Sequence, residues 1–189
     1  MEINSIDVYV FNSIFICYNI KWINQYSKVI NSVRERKLIM EKIIIYTDGA
    51  CSGNQNKKNI GGYGAILVYK GHKKEVYGGE KNTTNNKMEL KAPIEALKLI
   101  KRTDIPVEIY TDSAYLYNCM TQKWYKKWRK NNWLNSKKKP VENKTLWEEL
   151  LNEVEKYKNI KFYKVKGHSG IELNEKADEL ANKGMNEVT

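Results

Sequence analysis

Two segments of the chain run into the same three residues and then break off. Residues 43–50 read IIIYTDGA, and residues 107–114, which start 64 positions later, read VEIYTDSA. Each begins as a run of residues typical of a buried strand, and the small residue after Tyr-Thr-Asp ends the run. We therefore expect each strand to end at its aspartate, Asp48 or Asp112. If the strands are parallel neighbours, both carboxylates lie at the carboxyl edge of one sheet, where α/β proteins tend to bind ligands.

The remaining pattern predicts a mixed sheet with helices packed on it. Three strand-like segments come first, separated by turns, and later strand-like segments alternate with helical ones. The first three strands are expected to form an antiparallel meander, which with the later alternation indicates an α/β fold. The predicted strands span about 42–47, 61–69, 74–80, 107–111 and 160–166, and the predicted helices span about 86–101, 143–158 and segments starting at 113 and 174.

Basic residues are concentrated in one part of the chain. Lys and Arg number 33 against 22 Asp and Glu, which gives a net charge of +11. Residues 123–139 hold eight of the basic residues and no acidic one, so this segment contributes +8. A positive charge of this size predicts a polyanionic partner.

Residues 1–39 differ from the rest of the chain because they are rich in Ile, Asn and Tyr and lack Gly and Pro. Their apolar stretch, residues 6–20, is about 15 residues long, whereas a membrane span needs roughly 20. No Lys or Arg precedes that stretch, so it does not resemble a signal peptide either. We expect no membrane contact. We expect a complete domain over residues 40–189, preceded by an extension of unknown role that is dispensable or not part of the native protein.

The chain has three cysteines, Cys17, Cys51 and Cys119, and none of them belongs to a CxxC pair. An odd number without paired spacing predicts a protein without structural disulfides. Such proteins are typical of reducing compartments, so we expect a cytoplasmic location.

Two further acidic residues, Glu89 and Asp178, fall in predicted helices. Each of the four acidic residues has a structural explanation by itself, since Asp-Gly marks turns and carboxylates favour the first turn of a helix. Together they match the oxygen ligands that Mg²⁺ prefers, and two such ions about 4 Å apart can drive an in-line displacement at phosphorus. Four converging carboxylates would repel one another without a cation. The sequence therefore predicts a metal site.

The two histidines have different surroundings. His168 lies in VKGHSG, residues 165–170, where flanking glycines leave its side chain little to pack against. Its ordinary pKa suits proton transfer, so we predict a catalytic role. His72 is surrounded by lysines in a predicted turn, and we expect it to be solvated.

Six segments together resemble type 1 ribonuclease H of the bacterial kind, in the same order and spacing, over residues 40 to about 185. This resemblance implies a five-stranded mixed sheet with helices. It also implies Mg²⁺-dependent hydrolysis of the RNA strand of RNA–DNA hybrids, with two ions per site, Mn²⁺ as an alternative ion, and 5′-phosphate and 3′-hydroxyl ends. The segments are YTDGACSGN, GGYGAIL, TTNNKMELKAPIEAL, IYTDSAYLYN, VKGHSG and NEKADELA.

The resemblance assigns roles to individual residues. It implies that Asp48 bridges two metal ions and that His168 assists proton transfer or product departure. The expected metal ligands and catalytic carboxylates are Asp48, Glu89, Asp112 and Asp178. The expected contacts to the hybrid are Cys51, Asn54, Asn85 and Asn86, and the expected pocket for a DNA-strand phosphate includes Thr84 and Asn143.

The basic segment KWYKKWRKNNWLNSKKKP, residues 123–140, is similar to the protrusion, or handle, of bacterial members. Trp124 and Trp128 lie four residues apart, so we expect them to pack the handle together. Phosphates of the hybrid are then expected to contact the lysines of the handle independently of base sequence. The lysines assigned to this contact are Lys126, Lys127 and Lys130.

Three alternatives remain open at this point. The chain could be another nuclease of the same fold, a catalytically idle hybrid-binding module, or a detached nuclease domain of a retroelement reverse transcriptase. The full set of four carboxylates favours an active enzyme, which we expect to be a monomer.

Overall fold

A sheet of five strands is the centre of the computed structural model, which describes residues 41–52 and 59–188. The strands are β1 (Ile43–Ser52), β2 (Ile60–Tyr69), β3 (His72–Lys81), β4 (Val107–Thr111) and β5 (Ile160–Lys164). Their order in the sheet is β3-β2-β1-β4-β5. The first three pair antiparallel, whereas β1–β4 and β4–β5 pair parallel, so the predicted mixed sheet with its meander is confirmed.

Five helices are described in addition to the sheet. They are α1 (Asn85–Lys98), α2 (Ala114–Thr121), α3 (Trp124–Lys130), α4 (Lys144–Val154) and α5 (Glu172–Asn186). In the described residues, no helix is long and apolar enough to cross a membrane. The predictions for residues 1–39 and for Asn54 lie outside the described part of the chain.

The two similar strands lie side by side, as the sequence predicted. Parallel pairing places Tyr46 of β1 opposite Tyr110 of β4, and their rings stack with centroids 4.8 Å apart. Tyr163 of β5 continues the row, with its ring 5.0 Å from that of Tyr110. This row of rings shows that both strands present their tyrosines, and hence Asp48 and Asp112, on one face of the sheet.

The prediction that Asp48 ends its strand was wrong. β1 continues through Asp48 to Ser52 because this half of the strand pairs with β2, where Asp48 lies opposite Gly64. The parallel pairing with β4 does stop at Thr47 and Thr111. Both aspartates therefore still lie one residue beyond the last parallel pair, at the carboxyl edge of that part of the sheet.

The opposite face of the sheet forms the main core. Ile45 of β1 and Ile109 of β4 are fully buried there against Leu90 and Ile94 of α1 and Trp147 of α4. Each such side chain contributes about 1.5 to 3 kcal/mol by leaving water. This core holds α1, and therefore Glu89, at a fixed height above the sheet.

Helix α5 packs on the face that carries the tyrosines and aspartates, against β1, β2 and β3. The close approach depends on glycine in β2. A Cβ atom added at Gly64 would lie 2.7 Å from the Leu180 Cβ and closer still to the Ala177 carbonyl oxygen. Because Gly64 has no side chain, the backbone of α5 packs directly on β2. This packing places Asp178 near β1.

Element ends differ from the predicted ones by a few residues. Helix α1 runs over Asn85–Lys98 instead of 86–101, and α4 ends at Val154 instead of 158. Helix α5 begins at Glu172, two residues before the predicted start. β3 is longer than expected, because its first residues pair with the end of β2 across a tight turn. The strand Val107–Thr111 matches its prediction at both ends.

Candidate active site

Asp48 lies at the centre of the candidate site, on β1. Its Oδ1 accepts a hydrogen bond of 2.7 Å from the Gly49 N–H. Burial raises the pKa of Asp48 to about 7, and the neighbouring charges of Asp112, Asp178 and Glu89 act in the same direction. The Gly49 hydrogen bond opposes this shift. All four predicted carboxylates are therefore close enough to influence one another.

Glu89 reaches the site from α1. Its Oε1 accepts a hydrogen bond of 2.8 Å from the Asn85 amide, and its Oε2 accepts one from the Ser113 hydroxyl. Burial raises the pKa of Glu89, the Ser113 hydrogen bond lowers it, and the Asp112 charge raises it. Both carboxylate oxygens are thus oriented by neutral donors.

The approach of α1 to β1 requires a glycine. A Cβ atom added at Gly49 would lie 2.7 Å from the Met88 carbonyl carbon and closer still to the Glu89 nitrogen. The small residue that follows Asp48 in the sequence therefore does more than break a strand pattern. It allows the backbone that carries Glu89 to rest directly on the backbone that carries Asp48.

Asp112 follows β4 and lies against the histidine loop. Burial raises its pKa, the Asp178 charge adds to this effect, and the charges of His168 and Lys164 oppose it. A Cβ atom at Gly167 would lie 2.6 Å from the Asp112 Oδ2, so glycine allows the loop backbone to pass beside this carboxylate.

Asp178 lies one turn into α5, close to His168. The Asp178 Oδ1 accepts a hydrogen bond of 2.9 Å from the Asn182 amide one turn later. The His168 side chain is 81% exposed, and its Nδ1 lies 3.9 Å from the Glu175 Oε2. Glu175 also accepts a hydrogen bond of 3.2 Å from the Gly170 N–H, which ties the loop to the helix.

Within residues 41–52 and 59–188, one group of three side chains has metal-ligand atoms that all lie within 4.8 Å of one another. This group is His168, Glu175 and Asp178. Asp48, Glu89 and Asp112 interact electrostatically but are less tightly grouped, and Glu89 is bound to the Asn85 amide and the Ser113 hydroxyl. The four carboxylates Asp48, Glu89, Asp112 and Asp178 offer only oxygen ligands, and a bound cation would relieve their mutual repulsion. Such a set of ligands fits a hard ion such as Mg²⁺.

Four of the residues predicted to contact the hybrid or its DNA-strand phosphate lie around the start of α1: Cys51, Thr84, Asn85 and Asn86. The Cys51 Sγ is 3.9 Å from the Thr83 carbonyl oxygen, and Thr84 caps α1 by accepting the Lys87 N–H. Asn85 is exposed and donates to Glu89, and Asn86 follows it in the first turn. These short polar side chains therefore border the carboxylates.

The handle contains α3 and an aromatic cluster. The Trp128 ring lies 6.4 Å from that of Trp124 and 5.7 Å from that of Trp147 on α4. The expectation that tryptophans pack the handle is confirmed, and Trp128 also joins it to the core. Asn143 precedes α4 in a left-handed conformation beside the Tyr115 hydroxyl. The lysines predicted to contact phosphates are exposed on α3: Lys126, Lys127 and Lys130.

Two residues of the site were missed by sequence reasoning. Ser113 was predicted only as the start of a helix, and its hydrogen bond to Glu89 crosses 24 residues of sequence. Glu175 lies three residues before Asp178, in the first turn of α5, where an acidic residue is ordinary. No local signal distinguishes either residue from a helix-stabilising one.

Comparisons with known sequences identify one family. The family model for RNase H matches residues 40–186. A ribonuclease H of Clostridium botulinum is 52% identical over 148 residues, which cover 78% of this chain and 98% of that protein. A ribonuclease H of Caldanaerobacter subterraneus subsp. tengcongensis is 57% identical over 141 residues, 75% of this chain and 89% of that protein.

Solved structures show the same fold. LC9-RNase H1, described as a type 1 RNase H with the type 2 active-site motif, is similar with a TM-score of 0.70 and 31% identity. The similarity covers 79% of this chain and 74% of that chain. LC11-RNase H1, solved in complex with an RNA/DNA hybrid, has a TM-score of 0.57 and 27% identity over 78% of this chain and 99% of that one.

Proposed function

The chain belongs to the ribonuclease H family, and from this premise we propose that it cleaves the RNA strand of RNA–DNA hybrids internally, using divalent metal ions. Members of this family hydrolyse RNA in such hybrids and depend on divalent metal. The observation that carries the proposal is the convergence of four carboxylates, from β1, α1, the end of β4 and α5, on one partly buried position. Burial and the three neighbouring carboxylates raise the pKa of Asp48 to about 7. A carboxyl group whose pKa is raised this strongly, at the carboxyl edge of a sheet, is typical of a functional site.

The metal ligands in this proposal are Asp48, Glu89, Asp112 and Asp178, with Asp48 shared between two ions. Two Mg²⁺ ions bound there would activate the attacking water and stabilise the leaving 3′ oxygen, which gives 5′-phosphate and 3′-hydroxyl ends. The chain contributes the fixed positions of these oxygens, set by Gly49, by the Ser113 hydroxyl and by the packing of α5 on β2. Mn²⁺ has the same preference for oxygen and is the expected alternative ion.

His168 is proposed to move protons or to help the product leave. It is exposed on a loop that Glu175 ties to α5, and it lies within reach of Asp178. An exposed imidazole can exchange protons with solvent near neutral pH.

Hybrid recognition is proposed to use the polar residues that border the carboxylates. Cys51, Asn54, Asn85 and Asn86 would approach the minor groove, where the 2′-hydroxyl distinguishes RNA from DNA. Thr84 and Asn143 would hold a phosphate of the DNA strand. The handle lysines would add affinity through other phosphates without selecting a sequence. The exposure of Asn85 and of the α3 lysines supports these roles.

The test is cleavage of a labelled RNA–DNA hybrid beside double-stranded RNA and double-stranded DNA, in Mg²⁺ and in EDTA. We expect cleavage of the hybrid alone, abolished by EDTA and restored by Mg²⁺ or Mn²⁺. Products should be ligatable through a 5′-phosphate. A hybrid that is bound and left intact would indicate an idle binding module. Cleavage of double-stranded DNA would indicate another nuclease of this fold.

We further propose a monomer that acts in the cytoplasm without membrane contact, through residues 40–189. Two of its cysteines, Cys51 and Cys119, are described and neither forms a disulfide, which is compatible with a reducing compartment. A chain shortened to begin at Met40 should cleave the hybrid as the full chain does. Sedimentation of the full chain should give the mass of one copy, and cell fractionation should recover it with cytoplasmic proteins.

A further inference from the structure

Ser113 is held on three sides at the junction between β4 and α2. It is 4% exposed, and its N–H donates a 3.1 Å hydrogen bond to the Thr111 Oγ1. Its hydroxyl oxygen accepts a 3.2 Å hydrogen bond from the Leu116 N–H, which caps α2. The position of this oxygen is therefore determined by the strand before it and the helix after it.

The direction of the hydroxyl proton follows from that arrangement. A serine hydroxyl has one proton to donate, and its oxygen already accepts from Leu116. The remaining partner is the Glu89 Oε2, which only accepts when ionised. The proton of Ser113 therefore points at the carboxylate of Glu89.

The two hydrogen-bond donors to Glu89 belong to different parts of the fold and therefore orient its carboxylate relative to different elements. Asn85 lies one turn earlier on α1, so its hydrogen bond orients the carboxylate relative to its own helix. Ser113 belongs to another part of the fold and is the residue after Asp112. Its hydrogen bond joins residues 24 apart in sequence and thus restrains Glu89 relative to Asp112.

We propose that Ser113 is a positioning residue, whose hydroxyl holds the Glu89 carboxylate beside Asp112 in the arrangement that a divalent metal ion requires. The inference rests on the proposed role of Glu89 as a metal ligand. Partners that orient metal ligands typically change metal affinity or activity by about 10- to 100-fold when removed. One hydroxyl of Ser113 serves both the helix cap and the ligand, so the two roles must be separated by choice of substitution.

Three substitutions of Ser113 separate these roles. Ser113→Ala removes both the cap and the hydrogen bond to Glu89. Ser113→Gly removes the same hydrogen bond but retains most of the cap stability, because glycine is itself a favourable N-cap residue. Ser113→Thr retains both, provided that the added methyl group is accommodated. A matched control is Thr121→Ala, which removes a 2.7 Å hydroxyl bond to the Tyr117 carbonyl within α2.

The experiment measures Mn²⁺ binding by calorimetry, the Mg²⁺ concentration for half-maximal cleavage, and unfolding by urea in EDTA. We expect Ser113→Ala and Ser113→Gly to weaken Mn²⁺ binding about tenfold and to raise the Mg²⁺ requirement equally. Ser113→Thr should restore both within about threefold, and Thr121→Ala should leave both unchanged. In urea, Ser113→Gly should be more stable than Ser113→Ala, so a shared metal defect cannot come from lost stability.

The outcomes are distinguishable from failure of the proposed function. If Glu89→Gln cleaves as the unsubstituted chain does, Glu89 is not a required ligand and the proposed metal site fails. If Glu89→Gln abolishes cleavage while Ser113→Gly binds Mn²⁺ with unchanged affinity, the positioning role is overturned and Ser113 is only a cap. Should Ser113→Thr fail to fold, the comparison of the Gly and Ala variants decides the question.

Discussion

The carboxylate site and the handle differ in the burial of their charged side chains. In the carboxylate site, four acidic residues converge on partly buried positions, and burial with like charges raises the pKa values of Asp48, Glu89 and Asp112. In the handle, Lys126, Lys127 and Lys130 are exposed on the short helix α3, which is fastened through Trp128. The carboxylate site therefore places like charges close together, which lowers stability, whereas the handle exposes its charges to solvent.

This difference implies different functions for the two regions. Buried charges are little screened by salt and are positioned by packed backbone, so they suit a reaction that needs fixed geometry. Exposed lysines are screened and mobile, so they suit binding to a phosphate backbone of any sequence. Substitutions in the carboxylate site should therefore change cleavage more than binding, and substitutions in the handle should do the reverse.

The largest expected effect comes from Asp48→Asn, which removes one charge and keeps the shape of the side chain. Cleavage in Mg²⁺ should fall by at least about 1000-fold, because the proposed shared ligand of the metal ions is lost. Hybrid binding, measured by fluorescence anisotropy in EDTA, should change by less than about threefold. The exposed Asp104→Asn is the control and should retain full cleavage. Cleavage by Asp48→Asn above about a tenth of the original rate would contradict the proposed site.

The next effect is a loss of stability with rising pH in the absence of metal. The pKa of Asp48 is about 7 in the folded chain, against an ordinary value near 3.8, so the folded state binds more protons between these values. Stability must then decrease as pH rises through this window, by about 4 kcal/mol for Asp48. Glu89 and Asp112 add to the decrease, because their pKa values are raised too.

Urea unfolding in EDTA at three pH values across this window, near its lower end, near its middle and above its upper end, measures this decrease. Asp48→Asn should flatten the curve, and Mg²⁺ should raise stability most at the highest pH. The difference between the two chains isolates Asp48 from all other acids. Parallel curves would show that burial of Asp48 has no thermodynamic cost, and the contrast with the handle would lose its basis.

A smaller effect is expected from Gly49→Ala. The added methyl group would collide with the backbone of Met88 and Glu89, which must move away from β1. Overpacking of this kind costs about 2 kcal/mol, and the shift of Glu89 should reduce cleavage more than hybrid binding. Urea unfolding and Mg²⁺-dependent cleavage measure both effects. Ser52→Ala at the exposed end of the same strand should change neither, and an equally stable, fully active Gly49→Ala would refute the close approach.

The smallest effect belongs to the handle. Replacing Lys126, Lys127 and Lys130 with alanine should weaken hybrid binding about tenfold at low salt and reduce the slope of log affinity against log salt by up to about three. The rate at saturating hybrid should remain within about twofold. The control replaces three exposed lysines outside the handle, Lys70, Lys101 and Lys158, for the same change in net charge. Equal weakening by both triple variants would mean that the handle has no special role.

Much of the fold could be predicted because it depends on local patterns. The β4 segment alternates in a way that is typical of a strand, and its predicted and observed ends agree. Thr84 and Ser113 are capping residues by type, and helices do start after them. The end of β1 was predicted wrongly because Asp-Gly is a turn signal locally, whereas pairing with Gly64 across the sheet keeps the strand extended.

For the candidate site, too, the sequence indicated which residues to consider but not which other residues they contact. Asp48, Glu89, Asp112, Asp178 and His168 could be singled out as candidates because they occur in segments that together resemble one family. The contacts of these residues with other elements could not be predicted from the sequence. The hydrogen bond from Ser113 to Glu89, the contact of Gly167 with Asp112 and the tie between Glu175 and the histidine loop join residues from different elements.

Strand and helix types, the charged handle and the set of acidic residues can thus be read from the amino-acid order alone. They depend on side-chain chemistry and on periodicity within one element, which are properties of neighbouring residues. The convergence of the carboxylates, the raised pKa values of Asp48, Glu89 and Asp112 and the direction of the Ser113 hydroxyl were decided only by tertiary packing. Desolvation and hydrogen bonding at a point depend on every element that meets there, and no single segment of the sequence contains that information.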